Sequence, residues 1–389
     1  MEEFMGYRRP DGRVGIRNHV IILPCSICAS DTARMLAAKV PGTVFVNTHT
    51  GCSQVPSDLQ YTLDGLAGIA ANPNVYGTIL VSIGCESAQA RRVAADIRAR
   101  TNKPLEFFVI REEGGTVRLI ERAAKSAQRM LEESKKVQKE KCPITELIMG
   151  TECGGSDPTS GIASNPVIGV LSDILVEKGA TSILSETTEF TGAEHILAGR
   201  AKNEEVRQRI LDIVERYEQH FKNNGENVRK GNPAPGNIAG GITTLEEKSL
   251  GCIHKGGSSV INAVYDYAKQ ISPEDKGLVI MDTPGTDAPS IAGMIAGGAQ
   301  IIVYSTGHGS PLGSPITPVI KVTGNSETFR VMNDNTDFDA SLSLSGEKTI
   351  EELGRDLYEE LMEVVNGKQT KSEILGFTET TFMRACNFV

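Results

Sequence analysis

Four of the eight cysteines lie within a few residues of the ends of short apolar runs that have the composition of buried strands. The runs HVIILP, TVFVN, GTILVSIG and ELIMG are followed by CSIC, THTGC, CE and TECGGSD, which place Cys28, Cys52, Cys85 and Cys153 beyond the strands. A single free cysteine is most often a small buried hydrophobe, but four at one topological position indicate shared chemistry. Soft thiolates favour iron, zinc or iron–sulfur centres over magnesium. We therefore predict that these cysteines are metal ligands.

The run TECGGSD at 151–157 carries the densest group of reactive side chains in the sequence. It lacks the glycine and lysine spacing of dinucleotide-binding and P-loop motifs, which disfavours a nucleotide phosphate cradle. Gly154 and Gly155 would let the backbone approach a ligand closely. We predict that the following Ser156 and Asp157 contact a substrate.

A few histidines and lysines lie near predicted strand ends and are candidates for proton transfer or anion binding. His195 in TGAEHI and His308 in STGHGS are better placed for acid–base chemistry than His220, which lies in a charged helical run. Lys248 and Lys255 flank a loop-rich stretch and could hold a substrate carboxylate, although exposed surface lysines fit the pattern equally well.

The composition excludes several classes of protein. A net charge of −9 without a basic stripe argues against a nucleic-acid-binding surface. No apolar run approaches the roughly 20 residues needed to cross a bilayer, and the first residues lack the apolar core of a secretory signal. We expect a cytoplasmic protein with no membrane partner, in which the cysteines form no disulfide framework.

The elements that position these residues alternate between strands and helices, which predicts an α/β fold with mostly parallel sheets. Such sheets bind ligands beyond the carboxyl ends of their strands. A long helix from residue 116 to 141 ends at a proline, so we predict two successive α/β domains, 1–142 and a catalytic 143–389, with the site in the cleft at strand carboxyl ends. Asn165 is expected to cap the helix after TECGGSD, and 222–241 is expected to be loop.

The motifs also occur together in a known family. The runs GYRRPDGRVGIRNHVIILP, ECGGSD, SETTE, GAEH, NPAPGNIAGGITTLEEKSLG, KGG, MDTPG and GHGSPLGSP follow one another in this order over nearly the whole chain. In this pattern the chain resembles the altronate/galactarate dehydratase family. The resemblance implies an iron-dependent hydro-lyase that converts a hexonate or hexarate to a 2-keto-3-deoxy acid. It also implies the large subunit of a split enzyme, with a separate small β-rich subunit and a homo- or hetero-oligomer.

Within that chemistry, each group of candidate residues has an expected role. The iron, as Fe²⁺ or as an iron–sulfur cluster, is expected at the strand-end cysteines with Glu86 or Glu152 nearby. The base is expected to be His195 or Lys248, with Glu186 and Lys255 completing the catalytic group. The expected substrate contacts are Gly154, Gly155, Ser156, Asp157, Asn165, Asn237, Asp282 and His308.

Two other functions remain open at this point. A related branch of the family, the sulfolactate sulfo-lyase large subunit, expels sulfite instead of water. The resemblance implies that this branch largely replaces the strand-end cysteines and alters MDTPG, which favours the dehydratase here, whereas TGAEHI leans towards the sulfo-lyase. The second alternative is a sugar-acid-binding subunit without chemistry of its own, which predicts that the strand-end thiols and acids can be replaced without loss of activity.

Overall fold

The computed structural model describes residues 2–389 and contains two parallel sheets flanked by helices. The smaller sheet has four strands in the order β4-β3-β5-β6, and every neighbouring pair is parallel. Its strands are β3 (His19–Pro24), β4 (Thr43–Phe45), β5 (Val75–Ser82) and β6 (Leu105–Val109). These are the β-branched runs predicted from the sequence, which bury their apolar side chains between helices on both faces.

The larger sheet has seven strands in the order β10-β11-β9-β8-β12-β13-β14, again parallel throughout. Its strands are β8 (Ile148–Cys153), β9 (Thr181–Leu184), β10 (Ile261–Tyr265), β11 (Gly277–Met281), β12 (Ile301–Ser305), β13 (Val319–Thr323) and β14 (Phe338–Asp339). The α/β fold class with mostly parallel sheets is therefore confirmed.

A third, antiparallel sheet corrects one prediction. Its three strands, in the order β2-β1-β7, are β1 (Glu3–Arg8), β2 (Val14–Gly15) and β7 (Glu140–Pro143). The helix expected over 116–141 ends at Ser134, and residues 140–143 pair with β1 instead. Strand β7 spans the expected boundary after residue 142, and the division into two domains stays a prediction.

Thirteen α-helices connect and cover these strands within the part of the chain described. They are α1 (Ile27–Lys39), α2 (Pro56–Ala71), α3 (Ala90–Arg100), α4 (Thr116–Ser134), α5 (Asn165–Glu177), α6 (Glu194–Ala198), α7 (Glu204–Asn223), α8 (Pro235–Gly240), α9 (Leu245–Cys252), α10 (Asp287–Gly297), α11 (Ser326–Val331), α12 (Ile350–Asn366) and α13 (Lys371–Leu375). No helix among residues 2–389 is both long and apolar enough to cross a membrane.

The two parallel sheets are joined through α2 and α10, which pack side by side. A Cβ on Gly68 of α2 would lie 2.5 Å from the Ala296 carbonyl oxygen, so only glycine permits this approach. At the same end of both helices, the Asn72 amide donates to the carbonyls of Ile295 and Ala299, each at 2.8 Å. The helices therefore run in the same direction, and the strand carboxyl ends that precede them face the same side of the molecule.

Two local predictions differ from the structure. Asn165 does not cap α5, because a π-helical turn at Ser160–Ser164 leads directly into it and Asn165 has helical dihedral angles. The glycine- and asparagine-rich stretch 222–241 is not all loop, since it contains the short helix α8. Pro235 suits the first turn of that helix and Gly241 takes a left-handed conformation at its end, which explains why turn-forming residues flank it.

Candidate active site

Four buried side chains meet beyond the carboxyl ends of β8 and β9. Cys153 ends β8, Glu186 follows β9, Cys252 ends α9, and Lys255 lies in the 3₁₀ turn that continues α9. The Lys255 ammonium donates to a Glu186 carboxylate oxygen and to the Cys252 sulfur, both at 2.8 Å. The two sulfurs are 3.8 Å apart, and the Cys153 sulfur is 3.6 Å from Glu186 Oε1. We call these four residues the thiol–carboxylate cluster.

The backbone holds Glu186 in an unusual conformation. Its φ of 70° lies in the left-handed region, which a non-glycine residue adopts only when its surroundings enforce it. The Glu186 N–H donates to Thr283 Oγ1 at 2.8 Å, and the Cys153 N–H donates to Glu186 Oε2 at 2.9 Å. These bonds from two neighbouring strand ends turn the carboxylate towards both thiols.

Electrostatics keeps the lysine of the cluster charged. Burial disfavours the Lys255 ammonium, but Cys153, Cys252 and Glu186 outweigh that effect and raise its pKa well above the ordinary value. Burial raises the pKa of Glu186, and the Lys255 ammonium opposes the rise. The hydrogen bond to Cys252 and burial raise the pKa of Cys153 well above that of a free thiol. At neutral pH the metal-free cluster therefore holds one ammonium beside protonated Cys153.

The donor set of the cluster fits a soft divalent cation. Cys153, Glu186 and Cys252 offer ligand atoms within 4.8 Å of one another, and no other set of three His, Cys, Asp or Glu side chains within residues 2–389 does so. Two thiolates and a carboxylate would carry three negative charges, of which Lys255 balances one and a divalent ion the other two. Thiolate ligands favour iron or zinc over magnesium.

A cavity of about 270 Å³ opens beside the cluster. Cys153 and Cys252 form part of its wall, Lys248 reaches it from α9, and Asn165 reaches it from α5. The Asn165 amide nitrogen donates to the Gly251 carbonyl at 2.9 Å, while its buried carbonyl oxygen has no protein partner. A buried polar atom without a partner is costly, so this oxygen is available to a ligand hydroxyl.

A second ion pair lies where this cavity meets a neighbouring one of about 620 Å³ that Lys248 also lines. The Lys248 ammonium donates to Glu189 Oε1 at 2.9 Å and to Asn232 Oδ1 at 3.0 Å. The other carboxylate oxygen of Glu189 is buried without a partner. Burial is the largest single influence and lowers the pKa of Lys248, but Glu189, Cys153 and Glu186 together outweigh it, so the pKa is raised overall and the amine stays cationic.

A third buried acid lies behind the cluster. Glu152 Oε2 accepts hydrogen bonds from Ser290 at 2.6 Å and from Ser185 at 3.3 Å, whereas Oε1 has no partner. Burial, together with the nearby Glu186 and Asp287 carboxylates, raises its pKa well above the usual range. Burial and the neighbouring carboxylates therefore favour the protonated form of Glu152.

Most predicted residues of the 150–161 region and its neighbours lie around this cavity. A Cβ on Gly154 would be 2.0 Å from the Tyr304 hydroxyl, and Gly155 has a φ of 60°, so both positions need glycine. Ser156 and Asp157 line the cavity. The Asn237 amide donates to the Ser156 carbonyl at 2.9 Å and therefore holds the loop. The Asn325 amide binds Asp157 Oδ2 at 2.9 Å.

Three other predicted residues lie outside the cluster. His195 is exposed on the short helix α6. Asp282, at the end of β11, accepts from Thr187 Oγ1 at 2.7 Å and pairs with Arg216. His308 Nε2 is 3.1 Å from the Gly236 carbonyl oxygen, beside the loop that holds Asp157. The structure thus places Asp282 beside Arg216 of α7 and His308 beside Gly236 of α8, and leaves His195 on the surface.

The predicted iron ligands are divided between the two sheets. Cys28, Cys52 and Cys85 follow strands of the four-stranded sheet, whereas Cys153 meets Cys252 at the seven-stranded one. Glu86 turns inward and accepts the N–H groups of Ile83 at 2.9 Å and Gly84 at 2.6 Å. Within residues 2–389 only Cys153, Glu186 and Cys252 bring three such donor atoms within 4.8 Å of one another. The structure therefore does not gather the five predicted ligands around one point, and an iron site built from them stays a prediction.

Sequence reasoning missed Cys252, Glu189 and Asn232. Cys252 ends a helix instead of following a strand, so the strand-end rule that selected the other cysteines passed over it. Glu189 lies three residues after Glu186 in the motif SETTEF. The presence of a second acid in the same motif was the sequence signal that could have identified it. Asn232 lies 16 residues before its partner Lys248, and nothing local links the two.

Buried thiols, a carboxylate and an ammonium that face a cavity at the carboxyl edge of a parallel sheet form an enzyme-type site. Comparison with known proteins identifies the family. Residues 144–387 match the family model for the C-terminal region of D-galactarate/altronate dehydratase, and residues 6–135 match that for the second domain of D-galactarate dehydratase/altronate hydrolase. The chain therefore belongs to the D-galactarate/altronate dehydratase family, as its motifs predicted.

Three characterised relatives span nearly all of the chain. It is 38% identical over 383 residues to the (2R)-sulfolactate sulfo-lyase subunit beta of Chromohalobacter salexigens, covering 98% of this chain and 97% of that protein. It is 34% identical to the altronate dehydratase of Bacillus subtilis, covering 98% and 78%. It is 32% identical to the altronate dehydratase of Escherichia coli, covering 97% and 77%. These relatives are lyases, and the chain is an enzyme of that class.

Proposed function

We propose that this enzyme dehydrates a sugar acid, with altronate the first candidate and galactarate or a related aldonate or aldarate next. The product would be a 2-keto-3-deoxy acid. The altronate dehydratases among its relatives support the reaction class. The observation that carries the proposal is the Lys248–Glu189 pair, which stands beside a cavity whose wall includes two cysteines of the thiol–carboxylate cluster.

The pair suits the difficult step of this reaction, removal of the weakly acidic proton at C2. In our proposal the Lys248 ammonium binds the substrate carboxylate and stabilises the negative charge that develops on it. The unpartnered oxygen of Glu189 then accepts the C2 proton. Lys248 thereby changes from the predicted base to an electrostatic partner, because Glu189 keeps it cationic.

The rest of the cavity would orient the sugar hydroxyl groups. The free carbonyl oxygen of Asn165 can accept a hydrogen bond from one of them, and Ser156 lies on the same wall. We place ferrous iron at Cys153, Glu186 and Cys252, where the donor atoms are close enough to share one ion. When bound, such an ion supplies a Lewis acid for the departing C3 hydroxyl.

We also propose a separate small subunit as partner. The sulfo-lyase relative that matches this chain end to end is a subunit beta. The chain covers only 77–78% of the altronate dehydratases, so about a fifth of those proteins lies outside the match.

The test is an activity screen with the chain and ferrous iron, run with and without the proposed small subunit. Altronate, galactarate and related aldonates and aldarates are offered separately, and the 2-keto-3-deoxy acid is measured. We expect turnover of at least one of these acids. Failure on all of them, with the iron content of the protein verified, would refute the proposed reaction.

A second candidate is sulfite release from (2R)-sulfolactate. The 38% identity over nearly the full length of both chains favours it. Both reactions remove a group from the carbon next to a proton-bearing centre, so the same Lys248–Glu189 pair would serve either. Sulfite from sulfolactate without product from any sugar acid would replace the first proposal with this one.

A further inference from the structure

The eight cysteines separate cleanly by exposure. Cys25, Cys142, Cys153 and Cys252 are buried, whereas the other four reach solvent. Free cysteines are among the most buried residue types, so four that face solvent in one chain need an explanation. The solvent-facing ones are Cys28, Cys52, Cys85 and Cys386.

Three of them lie on segments that are bonded to one another at the carboxyl edge of the four-stranded sheet, Cys28 in the first turn of α1 and Cys52 and Cys85 on loops. The central loop contains Thr50 and Gly51, which precede Cys52. The Ile27 N–H, adjacent to Cys28, donates to the Thr50 carbonyl at 3.0 Å. The Ala88 N–H, three residues after Cys85, donates to the Gly51 carbonyl at 2.9 Å. A Cβ on Gly51 would lie 2.1 Å from the Cys25 carbonyl oxygen, so only glycine lets the loops pack this closely.

The chain terminus brings the fourth cysteine to the same edge. The N–H groups of Ala385 and Cys386 donate to the Asp58 carboxylate, both at 2.9 Å. The N–H of Val389 donates to the carbonyl of Ser53, the residue after Cys52, at 2.8 Å. Cys386 therefore reaches this place from more than 300 residues away in sequence, through bonds on both sides of it.

We propose that these four cysteines hold an iron–sulfur cluster, separate from the thiol–carboxylate cluster at the other sheet. Iron–sulfur clusters are bound by cysteine thiolates, commonly four of them. A single tetrahedral ion with metal–sulfur bonds of about 2.3 Å would draw its ligand sulfurs to roughly 3.8 Å of each other. No three of these side chains come within 4.8 Å of one another, whereas a polynuclear core spaces its ligands farther apart.

Glu86 supports the proposal as a positioning residue and not as a ligand. Its two carboxylate oxygens are occupied by the N–H groups of Ile83 and Gly84, which fold the loop that presents Cys85. Glu86 therefore does not compete with the thiols for the cluster. Two ferrous and two ferric ions, four sulfides and four thiolates assemble without any further electron donor, and the four thiols release their protons.

The test uses the full-length chain purified anaerobically and supplied with ferrous iron, ferric iron and sulfide. We expect about four iron and four acid-labile sulfide per chain, with visible absorption and an EPR signal after reduction. The triple variant C28S/C52S/C85S should lose the sulfide at least tenfold, and the exposed C386S should lose at least half of it. The matched control C153S/C252S removes two cysteines at the other sheet and should keep the full sulfide content.

A second measurement uses only the wild-type chain, so its result does not depend on whether the variants fold. In the wild-type chain, the reconstituted cluster should protect these four thiols from alkylation, as seen by mass spectrometry of the digested protein. The proposal is overturned by wild-type protein that binds no sulfide, by one metal ion bound without sulfide, by disulfides among the four cysteines, or by sulfide lost in C153S/C252S but kept in the triple variant. Sulfide content is measured without substrate, so it is independent of the dehydratase proposal.

Discussion

The carboxyl edges of the two parallel sheets carry cysteines in opposite environments. At the seven-stranded sheet, Cys153 and Cys252 are buried together with a carboxylate and an ammonium. At the four-stranded sheet, the strand-end cysteines reach solvent. Within residues 2–389, the hydrogen bond to one of their sulfurs comes from the Ser53 hydroxyl to Cys52, and none comes from a lysine or a carboxylic acid. The position of a cysteine at a strand end therefore does not determine its chemistry. Burial and the charge of neighbouring side chains determine whether the thiol binds a metal, reacts or stays protonated.

Removal of the counter-charge should have the largest effect. Lys255→Met leaves the buried Glu186 carboxylate without its partner, and breaking a buried ion pair from one side costs about 3–5 kcal/mol. We expect a loss of that order in the free energy of unfolding, measured by urea denaturation, and no detectable lyase activity. The control is Lys321→Met, which removes another fully buried lysine that has no carboxylate within hydrogen-bonding distance. Equal losses in both variants would contradict the role given to the Glu186 partner.

The proton-transfer pair should come next. Glu189→Gln keeps the shape and the hydrogen bond to Lys248 but cannot accept the C2 proton, so kcat should fall about 10²- to 10⁴-fold. Substrate affinity, measured by calorimetry, should change much less. The control Glu246→Gln lies on the same helix as Lys248 and alters only a half-exposed pair with Arg229. Near-normal kcat for Glu189→Gln would remove Glu189 from the mechanism.

The contrast between the two edges can be measured directly with a thiol reagent. Without metal, the four solvent-facing cysteines should react at least about tenfold faster than the four buried ones, which must wait for local opening. Burial also raises the pKa of Cys25 and Cys142. The hydrogen bond to Cys252, and then burial, raise the pKa of Cys153. Labelling is followed by mass spectrometry at each cysteine. Rapid labelling of Cys153 or Cys252 in folded protein would contradict the predicted difference in accessibility between the two sets of cysteines.

The smallest predicted effect concerns the two fully buried lysines, Lys255 and Lys321. Burial lowers the pKa of Lys321 to about 8, below its value in the unfolded chain. The unfolded state then binds more protons above pH 8, so stability should increase with pH, by about 1 kcal/mol between pH 8 and pH 9. Lys255, whose pKa is raised, gives no such gain in that window. Lys321→Met should flatten the rise, and an unchanged slope in that variant would assign it to other groups.

Much of the fold and part of the site followed from the sequence. Runs such as HVIILP and GLVIM are buried strands because their β-branched residues leave no polar face, and the strands are found where the runs predicted them. The prediction that the helix beginning at residue 116 extends to residue 141 was wrong at its charged end. Residues 140 and 141 pair instead with β1, which lies more than 130 residues earlier in the chain. Local propensity does not report such distant pairing.

The sequence by itself determined the α/β class, the family, and the presence of reactive residues at strand ends. Each of these depends on local patterns, namely periodicity, turn residues and ordered motifs. Only the tertiary structure decided which of those residues meet. It joined Cys153 to Cys252 and Lys255, drew Cys386 to the edge that carries Cys52, and left His195 on the surface. The physical reason is that charge neutralisation, burial and ligand spacing depend on distances between segments far apart in sequence, which local patterns do not encode.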